Sequence, residues 1–185
     1  MTKLKIKSAT KKTKFDPLNW QSWGVETQGY SLFINPPGSY QFSRIVIDVE
    51  NYKDGGFAGL GLLEPGSKRI SFFTGFDKCD YVDLCTSTLI GHVLRTDIHK
   101  LIKWGFNIDI NLAHYDTALA EHLIDSTKKR YGLKELAKDK FDMAWPHYDD
   151  LMKHGDFDKL PIEVTANYNG MDLIATYKLW QSQNQ

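Results

Sequence analysis

A strand-like segment that carries two acidic residues constrains this 185-residue chain more than any other feature. Residues 45–49 read Ile-Val-Ile-Asp-Val, a β-branched and apolar run that is typical of a strand inside a sheet. Glu50 follows, and side chains two apart on a strand point to the same face, so Asp48 and Glu50 leave the strand together. Burying a carboxylate is costly unless it is paired or binds a metal ion. The segment therefore predicts a divalent-cation site, and the alternative is a strand that simply runs into a solvated loop.

The pattern around this strand predicts a sheet followed by helices. Further strands are predicted at 57–63, 69–73 and 89–94, and the first three strands form a meander. Helices are predicted at 97–104, 116–125, 132–138, 146–153 and 161–181. Strands that come first and helices that come later indicate an α/β or α+β sheet covered by helices.

The chain is predicted to have three parts. Residues 1–15 contain six lysines and no acidic residue, and they are interpreted either as a flexible basic arm that contacts phosphates or as a solvated terminus. Residues 16–43 are rich in aromatic residues, glycine and proline, and are predicted to be an irregular segment packed on the core. Residues 44–185 form the main domain. The whole chain carries 23 basic and 23 acidic residues, so the zero net charge hides a basic arm and an acidic remainder.

Several classes of protein are excluded by composition. Cys79 and Cys85 are too few for a disulfide framework and have no neighbouring ligands for zinc, so both are expected to be reduced thiols. No apolar run approaches the roughly 20 residues of a membrane span. The basic N-terminus has no apolar segment behind it, which argues against a secretory signal. We therefore expect an intracellular protein without a membrane partner.

Two further acidic features complete a constellation. Asp97 follows the fourth predicted strand at the start of a helix, where an isolated Asp is usually a cap. Tyr168 and Asp172 are spaced i and i+4 on the last helix and share a face, although an exposed Asp beside a core Tyr is a common alternative. With Asp48 and Glu50, the four carboxylates suit two Mg²⁺ or Mn²⁺ ions about 3.5–4 Å apart, which would stabilise the attacking and leaving oxygens of a phosphoryl transfer.

From about Arg44 to Trp180 the sequence resembles the proofreading 3′–5′ exonuclease domains of family A DNA polymerases and the related ribonuclease D group. These are DEDD exonucleases, and the subtype with Tyr in its third motif is the one suggested here. Segment 91–97 with Gly105 is similar to the second motif, 116–125 to the next helix and 131–137 to the segment after it. The resemblance implies an α/β fold of the ribonuclease H-like type, a mixed sheet flanked by helices, and makes 44–185 an exonuclease domain.

The resemblance also implies a role for each acidic residue. Asp48, Glu50 and Asp172 would hold the metal ion that activates water, and Asp48 would bridge to a second ion supported by Asp97. Tyr168 and Glu50 would orient the attacking water. The products would be nucleoside 5′-monophosphates released from a single-stranded 3′ end.

The sequence departs from the family pattern beside the motifs. Asn51 stands where Thr is usual, Val93 where Asn is usual and Thr96 where an aromatic residue is usual. The substrate-binding candidates by position are Asn51, Tyr52, Phe57 and His92.

A second stretch, from Asn111 to Asp116, also fits an Asn-x-x-x-Tyr-Asp pattern that could be the second motif. Using it would break the spacing to Gly105, so Asp116 is predicted to cap or anchor a helix.

The predicted function is therefore a metal-dependent 3′–5′ exonuclease that removes nucleoside 5′-monophosphates from single-stranded DNA ends. A DNA polymerase is one candidate partner, in proofreading during DNA replication, and the alternatives are a stand-alone enzyme or an excised domain. An RNA-trimming 3′–5′ exonuclease is one alternative, and a degenerate domain that binds nucleic acid or a polymerase without cutting is another. The zero net charge does not oppose a nucleic-acid substrate, because bound Mg²⁺ would neutralise the carboxylates before a phosphate arrives.

Overall fold

The computed structural model describes residues 16–185, so the predicted basic arm at 1–15 lies outside the described residues. The strands are β1 (Ser31–Ile34), β2 (Tyr40–Gln41), β3 (Arg44–Asn51), β4 (Phe57–Leu63), β5 (Arg69–Phe73), β6 (Val82–Asp83), β7 (Thr88–Gly91) and β8 (Tyr115–Asp116). The helices are α1 (Leu94–Lys103), α2 (Thr117–Ile124), α3 (Leu133–Phe141), α4 (Tyr148–Met152) and α5 (Ile162–Gln183). Short 3₁₀ turns cover Trp20–Ser22, Val25–Gln28 and Phe76–Cys79.

A mixed sheet of six strands organises the fold, in the order β1-β5-β4-β3-β7-β8. β3, β4 and β5 pair antiparallel and form the predicted meander. β7 is parallel to β3, β8 is parallel to β7, and β1 is parallel to β5. β2 and β6 form a separate parallel pair. The acidic strand β3 thus lies inside the sheet between β4 and β7, as its apolar run predicts.

Helix α5 covers one face of the sheet. Its residues are buried almost continuously from Val164 to Leu179, which is typical of a helix enclosed in a core. Val46 and Leu63 share this face and pack in one cluster with Met171 of α5. Ile45, Ile47 and Leu62 point to the opposite face and pack in one cluster with Leu101 of α1. The result is the predicted α/β architecture of a mixed sheet flanked by helices.

The observed strands differ from the predicted ones in several places, which include the unpredicted two-residue strands β2, β6 and β8. The fourth predicted strand ends at Gly91, because Val93 adopts a left-handed conformation with φ of 58° and α1 begins at Leu94. Strand β1 lies inside 16–43, where no strand was predicted. It is a four-residue edge strand in which exposed and half-buried residues alternate. Leu32, Phe33 and Ile34 are all apolar, so the sequence shows no period of two that would reveal the strand.

The segment before β3 contributes side chains to the core. Trp23, Val25 and Tyr30 are each less than 5% exposed. The backbone N–H of Val25 donates to Oδ1 of Asn167 on α5 at 2.9 Å. Phe33 of β1 remains partly exposed, with the guanidinium of Arg69 4.0 Å above its ring. The aromatic residues of this segment therefore divide between core and surface.

Both cysteines are free thiols. Burial is the main cause that raises the pKa of Cys79 to about 12, so this thiol stays protonated and unreactive at neutral pH. Among the helices of residues 16–185, none combines the length and apolar character needed to cross a bilayer.

Candidate active site

Strand β3 and helix α5 bring three carboxylates together. Asp48 and Glu50 of β3 and Asp172 of α5 each offer one oxygen, and these three oxygens lie within 4.8 Å of one another. Side chains alternate between the two faces along β3. Ile47 and Val49 are buried on the face opposite α5, so Asp48 and Glu50 point to the face that α5 covers. A register shift between Glu50 and Asn51 ends the regular pairing directly after the acidic pair.

The electrostatics of the three acids favour a bound cation. Burial, followed by the charges of Glu50, Asp172 and Asp97, raises the pKa of Asp48 well above its usual range. Burial and Asp172 raise the pKa of Glu50 to about 8, although the nearby Lys134 opposes this. Clustered carboxylate oxygens are the ligands that Mg²⁺ and Mn²⁺ prefer, and a divalent cation would relieve the repulsion. The donor set therefore fits the predicted metal ions.

Asp172 is held by two donors that sequence analysis did not single out. Its Oδ1 accepts a hydrogen bond from the indole Nε1 of Trp145 at 2.9 Å and from Nζ of Lys134 at 3.1 Å. The same ammonium lies 4.2 Å from the ring centre of Trp145 and 4.4 Å from that of Tyr168. Lys134 thus places a positive charge beside the acidic cluster. In the sequence, Lys134 was notable only for lying inside the 131–137 segment that resembles the family. No feature of the sequence indicated Trp145.

Asn169 is a further residue that the sequence did not indicate. It lies on α5 beside Tyr168, and its Nδ2 donates to Oδ2 of Asp48 at 2.7 Å and to the backbone carbonyl of Asp48 at 3.1 Å. A longer contact of 3.5 Å reaches Oε1 of Glu50. This amide links the helix to both acidic residues of β3.

Asp97 lies in the first turn of α1, 8% exposed and outside the set of three close carboxylates. Burial raises its pKa to about 7, with Lys100 opposing the increase and Asp116 and Asp172 adding to it. The helix begins three residues earlier, so Asp97 is not its cap. The predicted second metal position, near Asp48 and Asp97, stays a prediction.

Tyr168 lies one helical turn before Asp172 and is 5% exposed. Burial and the neighbouring carboxylates raise the pKa of its phenol far above the usual range. The hydroxyl therefore stays protonated at neutral pH and can act as a hydrogen-bond donor. Its ring packs near Phe157, with ring centres 6.4 Å apart.

The predicted substrate-binding residues are dispersed around the carboxylates. The ring nitrogens of His92 are within hydrogen-bond distance of Oγ1 of Thr117 at 2.9 Å and the carbonyl of Tyr131 at 2.8 Å. Burial lowers its pKa. Because both nitrogens have protein partners, this geometry favours a structural role for His92.

The other three candidates follow the acidic strand. The side chain of Asn51 donates to the carbonyl of Tyr52 at 3.0 Å, and Tyr52 packs against the core beneath α5. Phe57 lies opposite Asn51 in the β3–β4 register. Its ring centre is 5.1 Å from that of Trp104 and 6.2 Å from that of Phe106, on the other face of the sheet. Their contacts with substrate stay predictions.

Asp116 is a helix cap, as predicted. Its Oδ1 accepts from the N–H groups of Ala118 and Leu119 at the start of α2. The same carboxylate accepts from the N–H groups of Val93 and Leu94 at 3.1 and 2.9 Å. It therefore fixes two helix starts at once, which supports the predicted capping role of Asp116 over the competing motif in which it is a metal ligand.

Comparison with solved structures identifies the fold of this chain, whereas comparison with protein families and curated sequences finds no match. Solved structures of NrnC from Brucella melitensis are similar to it. The structure of NrnC bound to pGG has a TM-score of 0.65 and 18% identity, over 84% of this chain and 81% of NrnC. NrnC with bound Mg²⁺ has a TM-score of 0.63 and 17% identity, over 83% and 79% of the two chains. The fold is ribonuclease H-like. At this identity the likeness concerns the fold alone, and it agrees with the fold expected from the motifs.

Proposed function

We propose that this chain is a metal-dependent 3′–5′ exonuclease that removes nucleoside 5′-monophosphates from single-stranded DNA ends. The observation that carries the proposal is the set of three carboxylate oxygens from Asp48, Glu50 and Asp172 within 4.8 Å, on a ribonuclease H-like sheet. Tyr168 one turn before Asp172 adds the donor expected of the Tyr subtype. A DNA polymerase is the proposed partner, in a proofreading role.

The cation would be held by Asp48, Glu50 and Asp172, with Asp97 supporting a second ion. Bound Mg²⁺ or Mn²⁺ would activate water and neutralise the phosphate charge. Because its pKa is raised, the Tyr168 hydroxyl stays protonated at neutral pH, so it would donate to the attacking water or to a phosphate oxygen. Lys134 and Trp145 would keep one oxygen of Asp172 occupied and leave the other for the metal.

The second candidate is an RNA-trimming 3′–5′ exonuclease. The observation in its favour is that NrnC, whose fold this chain shares, has been solved with pGG bound. A short oligonucleotide suits a site formed by the end of one strand and one helix, because only the last phosphodiester has to reach the three carboxylates. DNA and RNA ends would present the same scissile group to them.

The proposal is tested with matched 5′-labelled single-stranded DNA and RNA, incubated with Mg²⁺ or Mn²⁺. We expect ladders shortened from the 3′ end and arrested by a 3′-terminal phosphorothioate. Asp48→Ala is expected to lower the rate at least about 100-fold, since it removes a metal ligand. Asp77→Ala is the control, because within residues 16–185 this exposed residue pairs only with its neighbour Lys78.

The outcomes separate the candidates. Faster hydrolysis of RNA than of DNA would favour the trimming function over proofreading. Hydrolysis of neither strand, with binding retained, would contradict an exonuclease and favour a degenerate binding domain. Equal cleavage by wild type and Asp48→Ala would contradict the assignment of the metal ligands.

A further inference from the structure

Asn169 occupies an unusual position in the acidic cluster. It lies three residues before Asp172 on α5, on the helix face that contacts β3, and is completely buried. Its amide nitrogen is 2.7 Å from Oδ2 of Asp48, 3.1 Å from the Asp48 carbonyl and 3.5 Å from Oε1 of Glu50. A single neutral donor therefore contacts both acids of the strand.

The other end of the carboxamide has no compensating contact. Oδ1 of Asn169 is buried without a hydrogen-bond partner among residues 16–185. A 180° rotation of the amide would not help, because Oδ1 would then face two carboxylates that repel it. Buried acceptors without a partner are rare in folded proteins, since they lose their bonds to water. Burying Oδ1 without a partner therefore costs folding free energy, and this cost accompanies the contacts that Nδ2 makes with the two acids.

The neighbouring strand is shaped to receive this side chain. Gly61 of β4 is paired with Asp48, and a Cβ atom added at Gly61 would lie 1.7 Å from Oδ1 of Asn169. The same Cβ would lie 2.8 Å from a methyl group of Leu173. The absence of a side chain at position 61 thus creates the slot that the carboxamide fills. Two residues on different elements, Gly61 and Asn169, are both needed for the contact with Asp48.

We infer that Asn169 is a positioning residue that holds Asp48 and Glu50 in their metal-binding arrangement before the cation arrives. This inference rests on the proposed function, in which both acids bind a divalent cation. When both acids are ionised, as metal binding requires, their carboxylates repel each other, and a donor shared between them offsets that repulsion. Because the amide is neutral, it does not compete with the cation as a lysine in the same place would. Lys134 hydrogen-bonds Asp172, on the opposite side of the cluster.

The test compares Asn169→Ala with Asn167→Ala in the full chain. Asn167 is the matched control: it is also a buried asparagine on α5, but it bonds the Val25 N–H at 2.9 Å and the Glu163 carbonyl at 2.8 Å, away from the acids. Affinity for Mn²⁺ is measured from the electron paramagnetic resonance signal of the free ion, and folding from thermal unfolding without metal. We expect Asn169→Ala to weaken Mn²⁺ binding about 10–100-fold, as removal of a partner behind a metal ligand does. Asn167→Ala is expected to lose thermal stability but to keep wild-type Mn²⁺ affinity.

A second variant disturbs the same contact from the strand. Gly61→Ala would displace the Asn169 carboxamide without changing the sequence of the helix, although the added Cβ would also press on the Leu173 methyl group. We therefore expect a similar loss of Mn²⁺ affinity. This variant decides the question if Asn169→Ala does not fold. Folded Asn169→Ala or Gly61→Ala with wild-type Mn²⁺ affinity would overturn the role of Asn169 and leave the proposed function intact. A wild-type chain that binds no Mn²⁺ would overturn both.

Discussion

At the scale of single residues, the site combines acids that repel one another with donors that hold them. Burial and mutual repulsion raise the pKa values of Asp48 and Glu50, so the fully ionised form of the cluster is unfavourable without a bound cation. Asn169 and Trp145 are neutral donors to the acids, and Lys134 supplies a positive charge. Functional sites often contain such unfavourable groups, because a ligand that relieves them binds more tightly.

Tyr168 provides a residue-scale prediction. Tyr168→Phe removes one hydroxyl donor and keeps the buried ring, so we expect kcat to fall about 100-fold, the usual effect of losing one donor to a reacting group. Mn²⁺ affinity should not change, since the phenol is not a metal ligand in the proposal. Tyr177→Phe is the control on the same helix, because that hydroxyl accepts from the Gly66 N–H and the Gln181 amide instead. An unchanged kcat for Tyr168→Phe would remove the tyrosine from the mechanism.

At the scale of secondary-structure elements, the acidic cluster depends on how α5 is anchored to its neighbours. Glu121 of α2 is 1% exposed and accepts from Lys128, from Lys140 of α3 at 2.8 Å and from Gln183 at the end of α5 at 3.0 Å. This single carboxylate ties three helices together. The arrangement orients α5, which carries Asp172, relative to α3, which carries Lys134.

Glu121 gives an element-scale prediction with a defined pH dependence. Burial opposes ionisation, but hydrogen bonds from Lys128, Lys140 and Gln183 outweigh it and lower the pKa of Glu121 from 4.5 to about 2. A lowered folded-state pKa adds stability that is present above pH 4.5 and is lost as pH falls towards 2. Glu121→Gln should therefore lower the free energy of unfolding by about 2–3 kcal/mol at pH 7.

Denaturant unfolding at a series of pH values measures this effect. The difference between wild type and Glu121→Gln should shrink between pH 4.5 and 2, because the wild-type carboxylate then takes up its proton. Glu135→Gln serves as the control, since that side chain is partly exposed and lies 4.0 Å from Arg130. A pH-independent difference would contradict the ionic role of Glu121.

At the scale of the whole molecule, charge is distributed unevenly. Residues 1–15 hold six of the 23 basic residues and none of the 23 acidic ones, so the remainder is acidic and contains the carboxylate cluster. A nucleic-acid end approaching that remainder meets a repulsive field unless cations are bound. The basic segment could supply the compensating attraction.

Deletion of residues 1–14 tests this at the scale of the molecule. Binding of single-stranded DNA is measured by fluorescence anisotropy at several salt concentrations, with Asp48→Ala in both proteins to prevent hydrolysis. If all six lysines contact phosphates, the deletion should reduce the slope of log K against log salt by about 4, at roughly 0.7 per contact. An unchanged slope and affinity would indicate that the segment is only a solvated terminus.

The mixed sheet and the long helix could be predicted from sequence because their patterns are local. The apolar run at 45–49, the meander to 73 and the helix from 162 are segments with many apolar residues, and most of their residues are buried in the structure. Strand β1 and the two-residue strand β8 were missed because short, half-exposed strands have little period to detect. The left-handed Val93, which ends the fourth predicted strand, depends on bonds from its N–H to Asp116, 23 residues away.

The sequence by itself determined that Asp48 and Glu50 share one face of a strand and that Asp172 lies on the last helix, because strand alternation and helical spacing are local properties of the chain. Only the tertiary structure decided which side chains surround those carboxylates. Trp145, Lys134 and Asn169 reach them because α3, the loop after it and α5 pack on one face of the sheet, and no local pattern specifies such long-range contacts. The slot at Gly61 has the same origin, since it exists only where β4 lies beneath α5.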